Sequence, residues 1–269
     1  MRTDRTALVT LLVLSAAFAA FFVLPFAGLA KRAIEDGKTW ELARSGTAQA
    51  ALWLSVWTST VTLGPDDRFG TPVAYLLSRA RFPGKAIVDA AIDLPIVLPP
   101  TVAGVALLTA FGRRGLVGEP IEAWTGQTFA FTTMAVIMAQ VLVAAPFYVR
   151  AARSGFDSVD RRAEAVAYTL GASKTRTFFR IVLPQVRPAI MAGTVLCWAR
   201  AMGELGATLI FAGNLEGTTQ TMPLAIISAF EGSSLGLAGA IALSVMLLGV
   251  ALGVLVVFRL VSNQETWQA

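Results

Sequence analysis

The sequence contains no histidine and a single cysteine, Cys197, among its 269 residues. One cysteine excludes an intrachain disulfide, and the missing histidines and cysteine pairs remove the usual ligands of a zinc site. No GxxxxGK[S/T] phosphate-binding loop occurs, so we expect the chain not to hydrolyse ATP by itself. The sequence also lacks a convergent set of nucleophile, base and metal ligands, which disfavours a membrane-embedded enzyme.

Charged residues are scarce as well. They make up 14% of the chain, against 55% hydrophobic residues, and the mean hydropathy is +0.66. A soluble domain carries about 25% charged residues, so this composition indicates an integral membrane protein. The net charge of +5 is then explained by basic loops at one membrane face rather than by nucleic-acid binding.

Six apolar runs predict an all-α bundle of six membrane-spanning helices that forms one domain, residues 1–269. They are residues 7–30, 48–78, 86–111, 129–149, 189–211 and 235–258. An uninterrupted run of about 20 apolar residues can cross a bilayer. The first run follows Arg2 and Arg5 and is longer than the core of a cleaved signal peptide, so we expect a retained anchor. Lys and Arg are more frequent in the segments on the side of the amino terminus, which predicts that both termini are cytoplasmic.

A charged segment, "RRAEAVAYTLGASKTRTFFRIVLPQVRP" (161–188), separates the fourth and fifth runs. A first helix should end near Leu170, because Gly171 can adopt a left-handed conformation. Ser173 can cap a second helix, residues 174–182, which Pro184 should end. Three residues are able to cap the first helix: Asp157, Ser158 and Asp160. Without further information, the same pattern also fits a solvated basic loop with a helix on the membrane surface.

The charged segment resembles the "EAA" signature of permease subunits of ATP-binding-cassette importers. The resemblance rests on Glu164-Ala165, on Gly171 and on the run "IVLP" at 181–184. Val166 and Tyr168 depart from the family pattern, which often has alanine and arginine there. The resemblance implies that residues 157–184 dock on a nucleotide-binding subunit. The coupling residues carried over by the resemblance are Glu164, Ala165, Ala167, Leu170, Gly171, Ala172 and Ser173.

Three further stretches resemble oxyanion permeases, and molybdate permeases above all. They are "SRARFPGKAIVDAAIDLPIVLPPTVAG" (78–104), "GTVLCWARAMGELGATLIFAGN" (193–214) and "TMPLAI" (221–226). The resemblance implies a type I importer permease for molybdate or tungstate in a bacterial or archaeal cell membrane. A sulfate or thiosulfate permease is the nearest alternative, and a secondary transporter is the alternative of another class.

The same resemblance implies the partners of the chain. They are a second copy of the chain, two ATPase subunits, an extracytoplasmic oxyanion-binding protein and the surrounding lipid. ATP and magnesium would be held by the ATPase subunits, and this chain would bind no cofactor of its own.

Charges and prolines inside the apolar runs supply candidate pathway residues. Arg200 and Glu204 are one helical turn apart in the fifth run and can pair along one face. Such a pair either lines a pathway or gate, or locks helix packing. In the third run, Pro95 and the following prolines must kink or break the helix. The candidate pathway or gate residues are Arg200, Glu204, Pro99, Pro100 and Thr101.

The stretch "LGPDDRFG" (63–70) interrupts the second run with a proline, two aspartates and an arginine. Three interpretations are open: a broken helix that lines a cavity, a local reading-frame or cloning artefact, and a topology other than six simple spans.

Overall fold

The computed structural model describes residues 5–232 and 236–265, and every regular element within these ranges is helical. The helices are α1 (Arg5–Glu35), α2 (Thr39–Ala43), α3 (Gly46–Arg79), α4 (Lys85–Val97), α5 (Pro100–Phe111), α6 (Gly118–Thr125), α7 (Thr133–Ser158), α8 (Arg161–Thr169), α9 (Lys174–Thr177), α10 (Leu183–Met202), α11 (Gly206–Ala212), α12 (Met222–Phe230) and α13 (Gly236–Glu265). A π-helix, Phe178–Val182, joins α9 to α10. The all-α prediction is confirmed. Arg2 and Leu235, which the topology prediction used, lie outside the described residues.

Among the residues that the structure describes, four helices are long and apolar enough to cross a membrane: α1, α7, α13 and the continuous helix from α9 through α10. A fifth span results if α4 and α5 count as one, although they are bent by 118°. Helix α3 has 34 residues, or about 51 Å, which exceeds the ~30 Å hydrocarbon core. It is more polar than the other five, so the count of six crossings stays a prediction.

Helix α7 lies at the centre of the bundle and packs against α3 and α10. Tyr148 and Phe156 of α7 are completely buried. Small residues allow the neighbouring helices to come close: a Cβ atom on Gly70 of α3 would lie 2.8 Å from the Tyr148 ring, and one on Gly155 would lie 2.5 Å from Ala189. Close approach through glycine and alanine is the usual way in which membrane helices associate.

Two regions of the chain differ from the sequence-based expectation for helix breaks. Residues 64–70 do not interrupt α3, which runs unbroken from Gly46 to Arg79, so the hypothesis of a broken second span is wrong. The fifth run, predicted as one helix, ends at Met202 and resumes at Gly206. The break in the third run is confirmed, because α4 ends at Val97 and α5 begins at Pro100.

Pro184 was predicted to end the second helix of the charged segment, and it does not. The helix continues through Pro184 into α10. The π-helix immediately before it uses a wider turn, in which the N–H of Leu183 donates to the carbonyl of Phe178. A proline lacks an N–H and its ring crowds the preceding turn. A π turn at this point relieves both problems, since its carbonyls are already displaced from the α-helical pattern.

Candidate functional site

Helices α8 and α9 form the tight elbow that the sequence predicts. Of the three candidate caps, Asp160 is the one used: its Oδ1 accepts the backbone N–H of Arg162 at 2.9 Å. Gly171 has φ +80°, the left-handed conformation that glycine adopts without strain. The Ser173 hydroxyl accepts the backbone N–H of Arg176 at 3.3 Å and starts α9. Each of these signals is local in sequence, which is why they could be identified there.

The predicted coupling residues divide between two faces of this elbow. Ala165, Leu170, Gly171 and Ser173 are exposed, and Ala172 is half-buried. Glu164 and Ala167 are buried against the bundle. Leu170 is 82% exposed and Val166, one turn earlier, is 57% exposed. The outer face of α8 therefore presents two apolar side chains to its surroundings.

Glu164 makes an ion pair with Arg79, the last residue of α3. The Arg79 Nη2 and Glu164 Oε1 atoms are 2.6 Å apart, and the two side chains are 13% and 12% exposed. Beside them, Ser78 donates to Asp157 Oδ1 at 2.5 Å. The elbow is thus fastened to the end of α3. Sequence reasoning missed Arg79, because nothing in the spacing of the two residues indicates that they meet.

Arg200 and Glu204 form the predicted pair, with 2.7 Å between Arg200 Nη2 and Glu204 Oε2. Glu204 lies beyond the end of α10, however, and its Oε1 accepts the backbone N–H of Ala207 at 2.8 Å. Its side chain is 1% exposed, whereas that of Arg200 is 26% exposed. One carboxylate therefore serves both the arginine and the first turn of α11, while part of the guanidinium stays accessible.

The predicted pathway residues of the third run lie next to this break. A Cβ atom on Gly206 would lie 2.8 Å from Cβ of Pro100 and 3.1 Å from the backbone nitrogen of Thr101. Pro99 precedes α5 in an extended conformation, with φ −54° and ψ 133°. The structure thus brings the bend between α4 and α5 against the start of α11, two residues from Glu204.

The polar stretch of α3 finds its partners on α10. The Cys197 thiol donates to Asp66 Oδ2 at 2.9 Å, in a fully buried contact. The Thr194 hydroxyl donates to Asp67 Oδ1 at 3.2 Å. Arg68 is exposed and lines a cleft that also reaches Lys174 of α9. The contacts join the middle of α3 to the middle of α10.

Comparison with known proteins gives a consistent result. Residues 70–264 match the family described as binding-protein-dependent transport system inner membrane component. The molybdenum transport system permease protein ModB of Escherichia coli (strain K12) is 43% identical over 181 residues, 67% of this chain and 79% of that protein. The probable sulfate transport system permease protein cysT of Chlorokybus atmophyticus is 36% identical over 211 residues, 78% of this chain and 73% of that protein.

The fold also has a close match among solved structures. A chain from a bacterial ABC transporter involved in the import of the acidic polysaccharide alginate matches with a TM-score of 0.74. The match covers 97% of this chain and 96% of that one, at 17% sequence identity. At that identity the likeness concerns the fold alone, and it confirms the importer-permease fold predicted from the sequence.

Proposed function

We propose that this chain, which belongs to the family of binding-protein-dependent transport system inner membrane components, is the permease subunit of an ATP-driven importer for molybdate or tungstate. The observation that carries the substrate is the 43% identity to a molybdenum permease over two thirds of the chain. A sulfate permease is the second candidate, favoured by the 36% identity to a sulfate relative over a longer stretch. As a multi-pass membrane permease, the chain is not itself an enzyme.

The outer face of α8 is the surface proposed to dock on the ATPase subunit. Val166 and Leu170 protrude from it one turn apart, and they are flanked by exposed basic residues: Arg161, Arg162 and Arg176. An apolar pair inside a basic ring fits a groove with an apolar floor and an acidic rim. The buried Arg79–Glu164 pair supports transmission, because it ties α8 to the end of α3.

The proposed orientation places α8, α9 and both termini in the cytoplasm. The basic residues near α8 and at the end of α3 support this orientation, since cytoplasmic segments are enriched in Lys and Arg. In the proposed assembly, two copies of the chain enclose the path and two ATPase subunits hold ATP and magnesium. An extracytoplasmic protein delivers the oxyanion from the other side, and lipid surrounds the bundle.

The junction of α5, α10 and α11 is the proposed gate. Pro99, Pro100 and Thr101 form the bend that packs on Gly206. Arg200, partly accessible and paired with Glu204, lies beside it. A bend and a helix break that meet inside a bundle place irregular backbone where it can line a cavity.

Transport by the complete complex tests the proposal. The permease, its ATPase subunit and its binding protein are reconstituted in vesicles, and uptake of molybdate, tungstate and sulfate is measured with and without ATP. We expect ATP-dependent uptake in which molybdate and tungstate compete with each other and sulfate competes weakly. Preferred uptake of sulfate would support the second candidate, and uptake driven by an ion gradient without the ATPase would indicate a secondary transporter.

The coupling surface is tested by replacing a single glycine. Gly171→Val forces a β-branched residue into the left-handed region at a cost of about 1–2 kcal/mol, and should lower the amount of anion transported per ATP. Gly217→Val is the matched control, since Gly217 has φ +73° and open space around it, as Gly171 does. Normal coupling in the Gly171 variant would contradict the assignment of this elbow.

A further inference from the structure

The cleft beside Arg68 shares no lining residue with the proposed gate. It has a volume of about 780 Å³ and lies between α3, the α8–α9 elbow and α10, with Tyr148 of α7 in its wall. Its wall is apolar and aromatic in part, with Tyr75, Phe178 and Ile190 among its members. The polar and charged groups that line it include Asp67, Arg68, Thr71, Tyr148, Lys174 and Thr175.

Arg68 lies near the middle of α3. It lies about 8 Å along the axis from the midpoint of α3, and thus within the ~30 Å hydrocarbon layer if α3 is centred there. A cation at such depth normally faces a bundle interior or a water-filled cavity and has a partner. Four other arginines in or beside the spanning helices each pair with a carboxylate: Arg79, Arg150, Arg153 and Arg200.

Arg68 departs from that rule. Its guanidinium makes no hydrogen bond and no ion pair with any residue whose side chain the structure describes, residues 7–232 and 236–260. The ammonium group of Lys174, which also lines the cleft, is likewise unpaired within those ranges. Two cations therefore line one cleft, and neither is neutralised by a protein carboxylate in contact with it.

The remaining charges leave the cleft positive. Asp67 is the carboxylate among its lining residues, and its Oδ1 is occupied by the Thr194 hydroxyl. Asp66 is turned away towards Cys197 and lines a different cavity. The hydroxyls of Thr71 and Tyr148 are 2.5 Å apart and share one hydrogen bond, so one O–H of the two remains available to donate.

We propose that Arg68 and Lys174 bind the permeating oxyanion in this cleft, at the end of the bundle that holds α8 and α9. The inference rests on the proposed function and adds a site distinct from Arg200, whose guanidinium is held by Glu204. A tetrahedral dianion fits the chemistry, since a guanidinium fork donates to two of its oxygens and an ammonium group neutralises charge from another direction.

The first measurement is uptake by the reconstituted complex that carries Arg68→Gln. We expect the rate to fall about 10- to 100-fold, which corresponds to the loss of one hydrogen bond to a charged group, while the thermal stability of the complex stays near that of the wild type. Arg81→Gln is the matched control: Arg81 is exposed two residues beyond the end of α3 and does not line the cleft. Its uptake should be unchanged.

The second measurement leaves Arg68 in place. A reporter thiol is introduced as Leu76→Cys, at an exposed position of the same cleft, with Cys197→Ser to remove the native thiol. An anionic thiol reagent should label the reporter more slowly when molybdate is present, and Arg68→Gln should abolish that protection. The assay is run in vesicles of phosphatidylcholine and, separately, in vesicles rich in phosphatidylglycerol.

The outcomes separate the possibilities. Protection by molybdate in both lipids, together with slow uptake by Arg68→Gln, supports the site. Protection by phosphatidylglycerol alone would mean that the cleft holds a lipid phosphate, and would overturn the proposal. Normal uptake by Arg68→Gln, or no protection by molybdate with Arg68 present, would overturn it while leaving the importer intact. A wild-type complex that transports no oxyanion would overturn the proposed function, and this site with it.

Discussion

Residues 64–70 of α3 and residues 203–205 after α10 differ in whether the helix continues, and in each case the result is the opposite of what the composition favours. The first segment holds two glycines, a proline and three charged residues, yet α3 passes through it without interruption. The second holds one glycine, one charge and a leucine, yet the helix ends there. Local composition therefore does not decide where a helix of this bundle stops.

The difference comes from where the polar groups find partners. In α3, the Asp66 and Asp67 carboxylates accept hydrogen bonds from side chains of α10, so they do not compete for backbone groups of their own helix. Beyond α10, the Glu204 carboxylate accepts a backbone N–H of α11. A side chain that satisfies a backbone donor stabilises a helix start, and this start lies where Gly206 contacts the bend before α5.

The largest loss of stability is expected from removing the positive charge of Arg200, beside the break between α10 and α11. Arg200→Met leaves the Glu204 carboxylate buried without its partner, which should lower the free energy of unfolding by about 3–5 kcal/mol. The double variant Arg200→Met with Glu204→Gln should recover most of that loss and much of the transport. Unfolding in detergent and uptake in vesicles check this. A stable double variant without uptake would mean that Arg200 contacts the anion.

Gly206 offers a second way to test the break. Gly206→Ala places a methyl group 2.8 Å from Cβ of Pro100, and the proline ring cannot rotate away, so we expect a loss of about 3 kcal/mol. Gly203→Ala is the matched control, because its nearest neighbouring atom would lie 3.6 Å away. Equal thermal unfolding of the two variants would show that the contact between α5 and α11 is loose.

Substitutions of Cys197, the partner of Asp66, test how much this contact stabilises the continuous helix α3. Cys197→Ala removes the thiol that donates to the Asp66 carboxylate, and should cost about 1–2 kcal/mol because a buried acceptor loses its donor. Cys197→Ser retains a donor at the same place and should stay close to the wild type in thermal unfolding. If both variants unfold alike, the contact contributes nothing to holding α3 straight.

The smallest effect is expected at Pro65. Since α3 is already continuous there, Pro65→Ala restores one backbone N–H to a helix that is in place to receive it, and should raise the free energy of unfolding by about 1 kcal/mol. Uptake should be unchanged. A loss of stability would mean that α3 needs the fixed backbone angle of this proline. Residues 64–70 would then be a specialised backbone segment, as the break after α10 is.

Sequence reasoning succeeded where the deciding interaction is local. The caps at Asp160 and Ser173, the left-handed Gly171 and the Arg200–Glu204 pair all lie within a few residues of what they act on. The apolar runs likewise predicted the all-α fold, since the length of a run limits how it can cross a membrane.

It failed where the deciding partner is distant in sequence. Nothing near residues 64–70 indicates that Cys197 and Thr194 satisfy the aspartates, so a broken helix stayed among the three open interpretations. The break after Met202 lies where Gly206 packs on Pro100, and the buried Glu164 carboxylate pairs with Arg79. None of these contacts follows from spacing or propensity.

The π turn at Phe178–Val182 has a consequence for the angular phase of the long helix that contains it. Each residue of an α-helix advances the direction of the side chains by about 100°, and a π turn accommodates roughly one additional residue. Every side chain after Val182 is therefore rotated by roughly that angle from where an uninterrupted α-helix starting at Lys174 would point it. The directions in which Thr194, Cys197 and Arg200 face α3 and the gate are thus set by one wide turn next to the coupling elbow.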